Sequence, residues 1–133
     1  MSAENVKTVE SMYAAFATGD IPTVLAGLDP KVEWWEAENF IYAEGNPYVG
    51  PQSVLQGVFM RLAMEWDGFG VAPAGVLDAG DMAIGHGYYS GTYKPTGKTV
   101  RAQFAHFFTF REGKIVKFQQ YTDTAQFKEA VAE

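Results

Sequence analysis

The stretch from Met82 to Thr124, MAIGHGYYSGTYKPTGKTVRAQFAHFFTFREGKIVKFQQYTDT, decides the fold. Met82 to Tyr93 and Val100 to Phe110 are long runs rich in aromatic and β-branched residues, joined at Lys94-Pro95-Thr96-Gly97 by turn-forming residues. Arg111-Glu112-Gly113-Lys114 then reverses the chain into a third run, Ile115 to Thr122. Connections this short make the three strands antiparallel neighbours, because parallel pairing needs a long crossover. Just upstream, Asp78-Ala79-Gly80-Asp81 supplies another turn, preceded by a strand from Val71 to Leu77 that is interrupted at Pro73. Downstream, Asp123 is suited to cap a final helix carrying Phe127 and Val131.

Toward the N-terminus the apolar period changes from two to about 3.6. Val6, Val9, Met12, Tyr13 and Phe16 form the buried stripe of a helix over Glu4 to Thr18, which Gly19 ends. Asp20, two residues before Pro22, starts a short second helix carrying Val24, Leu25 and Leu28, closed by Asp29-Pro30. Val32 to Glu36 reads as a strand with Val32, Trp34 and Glu36 on one face and Glu33 and Trp35 on the other. Glu38 to Gly50 reads as a loop. Gly50-Pro51 opens a third helix, with Val54, Leu55, Val58, Phe59 and Leu62 on one side, running to about Trp66.

The expected architecture is therefore α+β and a single domain over residues 1–133: a cone-shaped roll of a curved, mainly antiparallel sheet with three N-terminal helices over its concave face. Gly85, Gly87 and Gly91 share one face of one strand, interrupted only by Tyr89. Positions without side chains permit bending and suggest the floor of a cavity above the sheet. Aromatic residues at 15% exceed what a core of this size requires and suit an apolar ligand site.

Several chemistries are excluded or disfavoured by composition. The chain has no cysteine, so it holds no disulfide, thiol nucleophile or zinc–thiolate site. Ten basic against sixteen acidic residues give a net charge of -6, which argues against nucleic acid or an anionic membrane as partner. Apolar runs are too short to span a bilayer and the N-terminus lacks a secretory pattern, so the expected location is cytoplasmic. No helical His pair or three-ligand face points to a metal, and no Gly-rich phosphate loop opens a helix, so no cofactor is expected.

Several strings in this order resemble the nuclear-transport-factor-two-like superfamily, in particular its SnoaL-like and ketosteroid-isomerase-like branch. They are Tyr13-Ala14-Ala15-Phe16-Ala17-Thr18-Gly19-Asp20, Val32-Glu33-Trp34, Gly50-Pro51, Ala105 through Val116, and Tyr121-Thr122-Asp123-Thr124. The resemblance implies the cone fold, a pocket between helices and sheet, and dimerisation through the outer sheet face. It does not carry over a reaction, because one fold hosts many sites. Met12 stands where the isomerases have their tyrosine, with Tyr13 about 100° further round the helix. Ala105 replaces the acidic oxyanion donor, and the base position falls near Trp34, two residues before Glu36. The Arg-x-Asp and second Asp of the limonene-type epoxide hydrolases fall on Gly87, Tyr89 and Gln120.

Those alignments predict an inward set of Gly87, Tyr89 and Gly91, then Gln103, Ala105 and Phe107, then Phe118, Gln120 and Thr122, with His86, His106 and Tyr121 outward. Glu36 and Glu38 are the candidate catalytic residues: a carboxylate beside an indole in a dry pocket has a raised pKa suited to acid–base work. Trp34, Tyr13, Tyr89, Gln103, Phe107 and Gln120 are the candidate ligand-binding residues, with Tyr89 or Gln120 polarising a carbonyl. His106, flanked by Phe104 and Phe108, suits a neutral, hydrogen-bonded imidazole. The functional expectation is a homodimeric domain that binds a small, mainly apolar molecule carrying oxygen. It either catalyses cofactor-independent isomerisation, cyclisation or dehydration, or serves as a binding or dimerisation module without chemistry.

Overall fold

A computed structural model describes residues 2–133. Helices α1 (Ser2–Ala17) and α2 (Ile21–Ala26) come first, and strand β1 (Leu28–Trp35) follows at once. A short strand β2 (Tyr48–Val49) precedes α3 (Pro51–Val54) and α4 (Met60–Glu65), which form one helical rod through a π-helical turn, Leu55–Phe59. Strands β3 (Trp66–Ala79), β4 (Met82–Tyr93), β5 (Thr99–Arg111) and β6 (Lys114–Thr122) make the meander, and α5 (Thr124–Val131) ends the fold.

The six strands form one sheet in the order β2-β1-β6-β5-β4-β3. All neighbours are antiparallel except β1 and β6, where Trp34 lies beside Phe118 in parallel register. Pairing of Tyr89 with Ala102, Gly87 with Phe104 and Gly85 with His106 fixes which side chains of β4 and β5 share the concave face. Curvature comes from edge strand β3, whose register slips between Asp67 and Gly70 and again between Pro73 and Gly75. Pro73 is tolerated because β3 lies at the edge of the sheet.

Helix α1 buries Val9, Met12 and Tyr13 against the sheet, as its stripe requires. Asp20 caps α2 by accepting from Thr23 N at 3.3 Å and the Thr23 hydroxyl at 2.6 Å. That helix stops at Ala26, earlier than the sequence suggests, because Asp29-Pro30 is already in β1. At the other end Asp123 occupies the N-cap of α5, but its carboxylate accepts from the Gln126 side chain rather than from helix backbone. Phe127 is fully buried and closes the cone against Phe40 and Trp66, with ring centroids 4.8 and 5.7 Å away. Among the described residues no helix is long and apolar enough to cross a membrane.

The glycines of β4 do not floor an empty space. A Cβ on Gly85 would collide with the Tyr13 hydroxyl, one on Gly87 with the β3 backbone at Ala72, and one on Gly91 would press on Phe69 and Trp66. These positions are glycine because neighbours occupy the room, and the cavity lies further along the concave face.

Candidate functional site

The inner cavity has a free volume of about 70 Å³ and an overwhelmingly apolar lining. Helix α1 contributes Tyr13, and the π-helical turn supplies Val58 and Phe59 from adjacent positions. An inserted residue of this kind rotates the following turn of helix and recurs at ligand sites. Strand β1 contributes Trp34, whose indole stacks on Phe118 with centroids 3.7 Å apart.

Five of the sequence-identified residues, Tyr13, Trp34, Glu36, Tyr89 and Gln120, line this cavity together. Glu36 lies one residue beyond β1 and keeps the inward phase of Trp34. Its backbone is clamped by Asn46, which accepts from Glu36 N at 2.9 Å and donates to Glu36 O at 2.8 Å. The carboxyl group is 3% exposed, and its one side-chain hydrogen bond is from Trp34 Nε1 to Oε2 at 3.1 Å. Burial drives its pKa up to about 8, against the smaller lowering effect of the indole hydrogen bond. The carboxyl is therefore held mainly protonated at neutral pH.

Facing it is a continuous polar line. Ala37 N donates to Gln120 Oε1 at 3.0 Å, and Gln120 Nε2 donates to Tyr89 Oη at 3.0 Å. Tyr89 Oη also meets His106 Nε2, and His106 Nδ1 lies 2.9 Å from Tyr13 Oη. Burial holds the His106 pKa down to about 3, so the imidazole is neutral, and it stacks on Phe104 at 4.2 Å. Desolvation likewise raises both phenols above their ordinary value, so they stay protonated.

Three expected site residues lie elsewhere. Glu38 is exposed, because β1 ends at Trp35 and a turn closed by Phe40 N on Ala37 O breaks the alternation. Gln103 and Phe107 occupy the convex face of β5, where Gln103 approaches Tyr88 and Phe107 packs on Tyr121 at 5.5 Å. Ala105 shares that face, and Ala102, Phe104, His106, Phe108 and Phe110 point inward. The inward phase of β5 is thus opposite to that implied by placing Ala105 at the isomerases' donor position, and His106 moves from the outer face into the site. Alternation within β5 carries the correct phase, since Val100, Ala102, Phe104, Phe108 and Phe110 are all apolar while Arg101 and Gln103 are not. Strands β4 and β6 keep the expected phase at Tyr89, Phe118 and Gln120, and His86 and Tyr121 face outward as expected. Gln120 bridges Ala37 and Tyr89 and so fixes the phenol at the cavity wall. Among the described residues no cluster of three His, Asp or Glu side chains is arranged to hold a metal ion.

The sequence pattern of the SnoaL-like domain matches residues 9–118. An NTF2-like protein from Burkholderia thailandensis E264 is 37% identical, with a TM-score of 0.92 over 97% of this chain and 98% of its own. A second NTF2-like protein, of unknown function, from Burkholderia pseudomallei K96243 is 26% identical, with a TM-score of 0.88 over 98% of both chains. TerC, co-crystallised with polyporic acid, is also 26% identical, with a TM-score of 0.83 over 96% of this chain and 97% of its own. Among curated proteins nothing matches.

Proposed function

We propose that this chain, which belongs to the SnoaL-like domain family, binds a small, mainly apolar molecule bearing an oxygen function and moves a proton on it through Glu36. The observation that carries this reading is a buried carboxyl group, held by one indole donor, across an apolar cavity from a line of phenol, imidazole and amide groups. A carboxyl pushed up to about 8 is available as acid and as base near neutrality, which is what general acid–base catalysis requires. The Tyr13 hydroxyl holds the ligand oxygen, and the dry lining strengthens this contact and the proton transfer alike. No cofactor takes part in this scheme. That TerC, a relative at 26% identity, was co-crystallised with polyporic acid supports a small-molecule role here.

The resting cavity is about half the roughly 150 Å³ that admits benzene in an engineered protein interior. Larger ligands therefore need the wall to open. Phe16, Phe59, Leu62 and Phe69 also line an outer hollow beside α4, so parting these four joins the cavity to solvent.

Deuterium exchange at the α-carbons of cyclopentanone in D2O tests proton transfer without knowledge of the natural substrate. The protein should accelerate exchange over buffer, increasingly as pH rises through about 8, and Glu36→Gln should lose the acceleration while still binding the ketone. Equal exchange with both proteins, with binding intact, would favour a ligand-binding module without chemistry. We also propose that the convex face, where Tyr121 is 54% exposed beside Phe107, pairs two copies into a homodimer.

A further inference from the structure

The hydrogen-bond line behind the cavity has a direction, and its first link is set by a backbone amide. Ala37 N–H can only donate, so Gln120 Oε1 accepts and Gln120 Nε2 must donate to Tyr89 Oη. With its oxygen accepting from Gln120, Tyr89 still has one hydroxyl proton to place. Its remaining partner among the described residues is His106 Nε2. One of the two phenol protons must be left without a protein acceptor, and that costs least at Tyr13, which lines an outer hollow between α1 and β3 as well as the inner cavity, whereas Tyr89 borders the inner cavity alone; Tyr89 therefore donates and Nε2 is the unprotonated ring nitrogen. In a neutral imidazole the proton then sits on Nδ1, which donates to Tyr13 Oη. Tyr13 accepts, and its own proton has no acceptor among the described residues. Tyr13 lines the cavity.

From this we infer that His106 is a positioning residue, held as the Nδ1–H tautomer by Gln120 and Tyr89, which turns the Tyr13 hydroxyl proton into the cavity and makes the site select ligands with a hydrogen-bond-accepting oxygen, such as ketones and quinones. The inference deepens the small-molecule reading above and rests on it for its ligand. The opposite direction would leave the free proton on the more enclosed Tyr89 and turn a Tyr13 lone pair toward the ligand, favouring alcohols. His106 lies between Phe104, stacked on it at 4.2 Å, and Phe118, tilted against it at 4.9 Å, and among the described residues its ring nitrogens have no partners besides the two phenols.

Two measurements test the two ends of the line. Long-range proton–nitrogen correlation spectra of the 15N-labelled protein report the tautomer, and with two histidines in the chain a His86→Asn variant assigns the signals. The expected result is a neutral His106 protonated on Nδ1, becoming a mixture in Gln120→Met, where the donor that sets the direction is gone. A wild-type Nε2–H tautomer, or one unmoved by Gln120→Met, overturns the inference whatever the protein binds. The second measurement is NMR titration with cyclopentanone and with methylenecyclopentane, which has the same shape and no acceptor oxygen. The wild type should prefer the ketone, and Tyr13→Phe should reduce that preference by about five- to tenfold, as expected for one net hydrogen bond. Failure to bind either compound would instead sink the small-molecule reading with the tautomer unaffected. An unchanged preference in Tyr13→Phe overturns the role given to Tyr13.

Discussion

Glu36→Gln should reverse the pH dependence of stability, because the wild-type carboxyl is held protonated by burial and the amide cannot ionise. The folded-state pKa is raised from 4.5 to about 8, so between those values the native state binds a proton that the unfolded chain has released. Stability then falls as pH rises, with a limiting slope of about 1.4 kcal/mol per pH unit. Integrated from pH 5 to pH 8, the loss attributable to Glu36 is about 3.5 kcal/mol. His106 acts with the opposite sign: its pKa is lowered to about 3, so its contribution is lost as pH falls below its ordinary value of 6.5. That contribution is common to both proteins and cancels in their difference. At pH 5 the wild type should be the more stable by about 1 to 2 kcal/mol, since the new amide places N–H groups in an apolar cavity. At pH 8 the order should invert. Urea unfolding of both proteins at unit steps of pH, followed by tryptophan fluorescence and circular dichroism, reads the difference directly. A difference that stays constant within about 0.5 kcal/mol would refute the assignment of a buried, neutral Glu36.

Other substitutions probe the supporting contacts. Trp34→Phe removes the one donor that lowers the Glu36 pKa and part of the stack on Phe118, so unfolding free energy should drop by about 1 to 3 kcal/mol and the Glu36 midpoint should move above its wild-type value. Gly85→Ala places a methyl group against the Tyr13 hydroxyl, and should cost about 1 to 3 kcal/mol in urea unfolding and break the Tyr13–His106 contact seen by nitrogen NMR. Glu38→Gln, on an exposed turn, should leave stability within about 0.5 kcal/mol and ketone exchange unchanged. Tyr121→Glu should shift sedimentation equilibrium toward monomer if the convex face pairs two copies.

Much of the fold was legible because local chemistry and global pattern agree. The Asp78–Asp81 and Arg111–Lys114 turns, the stripe of α1 and the Asp20 cap each specify their element without help from the rest. The π-helical turn at Leu55–Phe59 was not legible, since Val54, Val58, Phe59 and Leu62 fit an ordinary helical face equally well. In the site, Glu36 and Tyr89 stand out as lone polar groups within apolar or glycine-rich runs. His106 lies on the opposite face to the one expected because a period of two makes a one-residue slip exchange both faces, and matching Ala105, just before His106-Phe107, to the isomerases' acidic donor introduces that slip. Glu38 was misplaced for a related reason, because the end of β1 depends on where Ala37 meets Gln120, a contact between residues far apart in sequence.

The most direct test is titration of the Glu36 side-chain carboxyl carbon by NMR, assigned by its absence in Glu36→Gln. A midpoint near 8, with the group protonated at neutral pH, is expected from its burial against Trp34 and the cavity. A midpoint in the ordinary carboxylate range of about 4 to 5 would contradict it, and with it the role of Glu36 as the group that moves the proton.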